Sequence, residues 1–261
     1  MMRFFTLIAT ATSLVLAVPA TAQETSGRAA LTFGYLNVDS GLQDRRTTAL
    51  NGAATVSDDI EILFDITRQE REEDATYFAA GISRKFGDTT GRLTFGTSTT
   101  NTGILPEFFV EGAVTVDNGP EAGTLFTVLA SHSKFRNGSD VTRIGGEAVK
   151  YYDPNENGGY VITQANAFLS NANPGGNTGW EIGGAITYVS GQSWTLGASG
   201  SLGNSAYEAL TTTTVENRFW SVRPFFTYDL GDSTTLVMRG EYVKSDLFDI
   251  QGGSIGVNFQ F

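Results

Sequence analysis

From Leu31 to Phe261 one pattern recurs: segments of roughly 10 to 13 residues whose apolar and polar side chains alternate one by one, each closed by Gly, Asn, Asp, Ser or Pro. Fourteen such segments centre on Leu31–Val38, Thr47–Val56, Ile60–Thr67, Thr76–Phe86, Arg92–Thr99, Phe108–Val116, Thr124–Ser133, Val141–Tyr151, Tyr160–Leu169, Trp180–Val189, Trp194–Leu202, Phe219–Leu230, Thr234–Val243 and Ile250–Phe261. Successive side chains on a strand point to opposite faces, so each segment predicts a strand with one oily face and one polar face. Ile60, Ile62, Phe64 and Ile66 alternate with Glu61, Leu63, Asp65 and Thr67; Trp180, Ile182, Ile186 and Tyr188 alternate with Glu181, Gly183, Ala185 and Thr187.

Two closed architectures satisfy this pattern: a soluble sandwich with an oily interior, or a membrane barrel with an oily exterior. Connection lengths favour the second. Ser57–Asp59, Gly87–Gly91, Ser190–Gln192 and Gly231–Ser233 are short and fall on one side. Gln69–Asp74, Thr100–Pro106, Asn171–Thr178 and Asn204–Glu216 are longer and fall on the other. Short turns on one rim, long loops on the other and an even strand count are the habit of bacterial outer-membrane barrels. Asp117–Ala122 and Asp153–Gly158, of medium length on the short-turn side, fit less well.

Other features agree. Met1 to Ala22 reads as a secretory signal peptide: Arg3, an apolar stretch from Phe4 to Val18, and an Ala20-Thr21-Ala22 exit, with cleavage expected before Gln23. Beyond residue 22 no apolar run is long enough to cross a bilayer as a helix. With 17 basic and 28 acidic side chains, the net charge is −11, one more negative once Arg3 leaves, which argues against a nucleic-acid partner. There is no cysteine, which excludes zinc-thiolate and cysteine-nucleophile chemistry. Thirty-one glycines would weaken ordinary strands but let barrel strands bend and pack. Tyr152, Trp180, Trp194, Trp220, Tyr228, Tyr242, Phe259 and Phe261 stand near strand ends, as membrane-interface girdles require.

The expected fold is therefore all-β: one antiparallel up-and-down transmembrane barrel over residues 23–261, with fourteen strands, or twelve if a weak N-terminal pair is loop. In its last strand, Ile255, Val257, Phe259 and Phe261 form the lipid face, while Ser254, Gly256, Asn258 and Gln260 face inward. The stretches "VTRIGGEAVKYY" (141–152), "WTLGASGSLGNSAYE", "FWSVRPFFTYDL" and "GEYVKSDLFDIQGGSIGVNFQF" resemble YaiO-type outer-membrane barrels over roughly residues 120–261. That resemblance implies location and fold, and no established reaction or substrate. The terminal aromatic likewise resembles the element by which barrel-assembly machinery accepts its clients. Expected surroundings are outer-membrane lipid and lipopolysaccharide; no cofactor or metal is expected, and the sequence does not set the oligomeric state.

Charged residues expected to line the lumen are Glu61, Asp65, Arg143, Glu147, Glu181, Arg223, Asp229, Arg239 and Glu241. A turn centred on Gly231 puts Arg223 opposite Arg239 and Ser221 opposite Glu241, leaving Glu241 as the diagonal partner of Arg223. Equal counting across Asp153–Gly158 puts Glu147 opposite Gln164. Paired charges of this kind could lock the lumen shut, or line a narrow path for small polar solutes.

A barrel-embedded lipid or lipopolysaccharide hydrolase is an alternative, resting on His132, the only histidine, between Ser131 and Ser133. Alternation opposes it: both serines point away from the imidazole, and no G-x-S-x-G elbow occurs. A third reading is a surface module for exopolysaccharide or assembly partners through the Asn204–Glu216 loop. No H-E-x-x-H or P-loop is present. "DPNENG" lacks calcium-loop spacing and reads as a turn, "NANPGG" as loop chemistry, and "RQEREED" as a solvated loop tip.

Overall fold

The computed structural model describes residues 26–39, 43–71, 74–100, 105–119, 123–155, 157–206 and 217–261. The signal-peptide segment, the tip of "RQEREED" and most of the Asn204–Glu216 loop lie outside the described residues. All fourteen expected strands are present: β1 Gly27–Val38, β2 Arg45–Ser57, β3 Ile60–Glu70, β4 Ala75–Phe86, β5 Thr89–Ser98, β6 Phe108–Asp117, β7 Thr124–Lys134, β8 Asp140–Tyr151, β9 Tyr160–Asn173, β10 Asn177–Val189, β11 Trp194–Ser205, β12 Asn217–Gly231, β13 Thr234–Ser245 and β14 Asp249–Gln260. The fallback of twelve is excluded.

Each strand pairs antiparallel with its chain neighbours, and β14 returns to β1, from Arg28 opposite Gln260 to Val38 opposite Ile250. At the seam's end the Phe261 N–H donates to the Gly27 carbonyl at 2.9 Å. A side chain on Gly27 would collide with the Phe261 ring, so the smallest residue stands where the terminal aromatic closes the cylinder. Closure leaves no sheet edge with unpaired amides, the condition for strands to stand in hydrocarbon.

The orientation of the faces is decided by exposure: Ile62 is 42%, Ile182 49% and Phe259 44% exposed, whereas their strand neighbours Glu61 and Glu181 are partly to fully buried. The grease is outside. Trp194 and Tyr228 oppose one another beside the short turns, with Tyr188 5.5 Å from Trp194 between ring centres. Towards the other rim Trp220 and Tyr242 pack with ring centres 5.3 Å apart and planes tilted by 52°. Tyr152 and Phe261 are also exposed, near the short-turn rim.

One expected long loop is absent. β9 and β10 run on to Asn173 and Asn177, so that only Pro174, Gly175 and Gly176 remain as a turn, with positive φ at both glycines. Positive φ suits glycine, which lets so short a connection reverse the chain. The loops after Ser98 and Ser205 remain the long ones on that rim.

Candidate functional site: the barrel interior

Fourteen strands about 4.8 Å apart and tilted about 40° form a circular cylinder of roughly 14 Å backbone radius. An extended arginine reaches only about 7 Å from its Cα, so a single arginine–glutamate pair cannot bridge that width. Much of the inner face is also small: Thr32, Ala49, Ala79, Gly183, Ser199 and Ser254 take inward positions along their strands.

The inward charges are held along the wall. Arg28 makes two bonds to Glu61, at 3.0 and 3.3 Å, passing over Ala53 of β2. Arg92 donates to Glu111 at 2.9 Å between β5 and β6. Arg143 donates to Glu181 at 3.0 Å, with its guanidinium 3.6 Å from the centre of the Phe168 ring on the intervening β9. Arg223 donates to Glu241 at 3.1 Å. These four pairs join strands one or two apart; among the described residues no ion pair bridges opposite walls.

The remaining expected lumen residues differ in setting. Asp65 lies opposite Asn51 and accepts a bond from Thr67 at 2.8 Å. Glu147 accepts from Gln164 at 2.6 Å. Asp229 is exposed beside the short turn, bonded by Thr235 at 2.8 Å, and so belongs to the rim rather than the depth of the barrel. Arg239 makes no hydrogen bond or ion pair among the described residues and borders a small chamber with Thr32, Asn51, Ser254 and Asn258. The sequence reading omitted Arg28, Arg92 and Glu111. Alternation carried their signal, since Arg92 shares a face with Thr90 and Thr94, and Glu111 with Ala113 and Thr115.

Both expected registers are corrected. β12 pairs with β13 so that Phe225 faces Arg239 and Val222 faces Tyr242, which puts Arg223 opposite Glu241 and Ser221 opposite Val243. The turn is Asp232-Ser233 rather than a reversal on Gly231, and a bulge between Asp229 and Gly231 absorbs the difference. Glu147 lies opposite Asn166, and Gln164 reaches it diagonally from its place opposite Val149. There the Asn155 side chain accepts the N–H groups of Asn157 and Gly159, at 3.0 and 2.9 Å, and so shapes the connection.

The two mouths differ, which alternation did not reveal. At the loop rim Leu105, Phe135 and Ala206, each from a different connection, share one buried apolar cluster with Ala75, Tyr77, Phe109 and Ala172. Leu36, Val38, Phe219, Val243, Phe248 and Ile250 form another cluster at the same rim, on the side of β12, β13, β14 and β1. The Ser98 hydroxyl donates to the Pro106 carbonyl at 2.7 Å and ties the first loop inward. Apolar residues in the connections, Leu105 in "GILPE" and Phe135 in "SKFRNGS", were the available signal. Asp44, in the β1–β2 loop, is bonded by the Tyr35 hydroxyl and, at 2.9 Å, by the Asn37 amide; the Tyr35 bond is the main reason its carboxyl sits below the usual range.

His132 projects from the outer face of β7 and its Nδ1 lies 3.0 Å from the Thr142 hydroxyl of β8. Ser133 is buried on the inner face, and among the described residues no carboxylate hydrogen-bonds the imidazole.

A closed, antiparallel fourteen-stranded cylinder with a greasy outside and a charged inside is the fold of the outer-membrane β-barrel proteins. Among solved structures, the outer membrane protein Omp33 of Acinetobacter baumannii matches with a TM-score of 0.54 at 9% identity, over 92% of this chain and 100% of that one. A bacterial polysaccharide outer membrane secretin matches with a TM-score of 0.54 at 9% identity, over 91% and 98%. OmpT, an outer membrane protein of Vibrio cholerae, gives 0.50 at 10% identity, over 94% and 100%. No protein-family model matches the chain, and no curated protein matches its sequence.

Proposed function

We propose that this chain is a non-enzymatic channel of the Gram-negative outer membrane, admitting small polar solutes along a narrow, charged lumen. The observation that carries this reading is that inward ion pairs run along the wall between strands one or two apart, as Arg28–Glu61 and Arg223–Glu241 do, rather than across the barrel. A lumen locked by charge needs pairs that cross it. The apolar clusters at the loop rim make that mouth the constriction.

On this reading the signal peptide is removed before Gln23, barrel-assembly machinery inserts the chain, and the exposed aromatics meet lipid and lipopolysaccharide at the two interfaces. The assignment to YaiO-type barrels rests on the resemblance of residues 120–261. The purified barrel in a planar bilayer is expected to give discrete conductance steps whose size changes in Glu241→Gln. A silent membrane at high protein load overturns the proposal.

A further inference from the structure

We propose that Arg239 is the centre of an anion-binding site on the inner wall, built to take a small oxyanion, phosphate or carboxylate. Arg28, Arg92, Arg143 and Arg223 each hold a glutamate. Arg239 is partly buried on the same inner face and, among the described residues, holds none. The carboxylate two residues along its strand, Glu241, is committed to Arg223. Opposite Arg239 stand Ser254 on β14 and Phe225 on β12, neither of which can neutralise it.

The chamber beside Arg239 is polar and shaped. Thr32, Ser254, Asn51 and Asn258 bring hydroxyl and amide groups from three neighbouring strands. Ala30 and Gly256 keep its floor low, and any side chain at Gly256 would meet the Thr32 hydroxyl and the Leu31 carbonyl. A guanidinium offers five N–H donors in a planar fork suited to two oxygens of one anion, and a partly buried cation gains from such a partner. Hydroxyl O–H and amide N–H groups around it can complete the coordination of an oxyanion, and among the described residues no carboxylate lines the chamber. The proposal deepens the channel reading and rests on it for the route by which the anion arrives.

The test uses the full barrel refolded in detergent micelles, titrated with inorganic phosphate at constant ionic strength and followed by phosphorus NMR line broadening. Wild type is expected to bind saturably, and Arg239→Gln about tenfold or more weaker, the loss of a charge-assisted contact. Ser254→Asp supplies a carboxylate in the opposite register position and is expected to abolish binding while keeping the arginine. It decides the matter if Arg239→Gln does not fold. Absence of saturable binding in wild type, or equal binding in either folded variant, overturns the site. Bilayer conductance of the same preparations is read separately: a silent barrel that binds phosphate removes the channel and keeps the site, and a conducting barrel indifferent to phosphate does the reverse.

Discussion

Arg143 and Glu181 meet at 3.0 Å from strands two apart, with Phe168 between them beneath the guanidinium. Both are buried, the ion pair among the least exposed of the interior pairs. The contact lies just inside the apolar cluster at the loop rim, because Val141, which packs on that cluster, is the next inward residue of β8.

Removing one partner strands the other charge away from water. Glu181→Ala is expected to destabilise the barrel by about 3–5 kcal/mol, whereas replacing both residues by apolar ones of similar volume costs far less. Urea unfolding of the micelle-bound barrel, followed by tryptophan fluorescence, compares the single and double variants. Equal losses in both would show that the pairing itself contributes nothing.

Gly145 sits where a Cβ would come 2.2 Å from the Phe168 ring and 2.3 Å from the Ala167 carbonyl. Gly145→Ala is expected to cost about 1–3 kcal/mol by overpacking, since a backbone oxygen is one of the obstacles. It should also displace Phe168 from Arg143, so its effect and that of Glu181→Ala should not add. Strictly additive unfolding energies would contradict this coupling.

Phe135 fills the loop-rim cluster almost without exposure. Phe135→Ala removes that filling, at about 3–5 kcal/mol, and widens the mouth. Single-channel conductance should rise while ion selectivity, set deeper by the wall charges, stays as it was. Unchanged conductance places the constriction elsewhere.

His132→Ala should leave any fatty-acid release from lipid vesicles at the level of wild type, because the imidazole touches Thr142 on the outer face and lacks an orienting carboxylate among the described residues. Loss of release in this variant alone would restore the hydrolase reading.

Fourteen strands, their approximate limits and the outward direction of Ile62, Ile182 and Phe259 were all legible in the sequence, because alternation with a period of two is a local property of the chain. Register was not. Both mispairings, Arg223 with Arg239 and Glu147 with Gln164, are displaced by two residues, and a slip of two keeps every side chain on its proper face. The hydrophobic pattern therefore cannot detect it; the bulge before Gly231 and the Asn155-capped connection decide it through local backbone geometry. The loop-rim clusters and the solitary place of Arg239 depend on groups that are far apart in the chain. Ser254 meets that arginine across the β13–β14 hairpin, but only closure of the cylinder at the β14–β1 seam brings Thr32 and Asn51 beside it, and only tertiary structure could specify that.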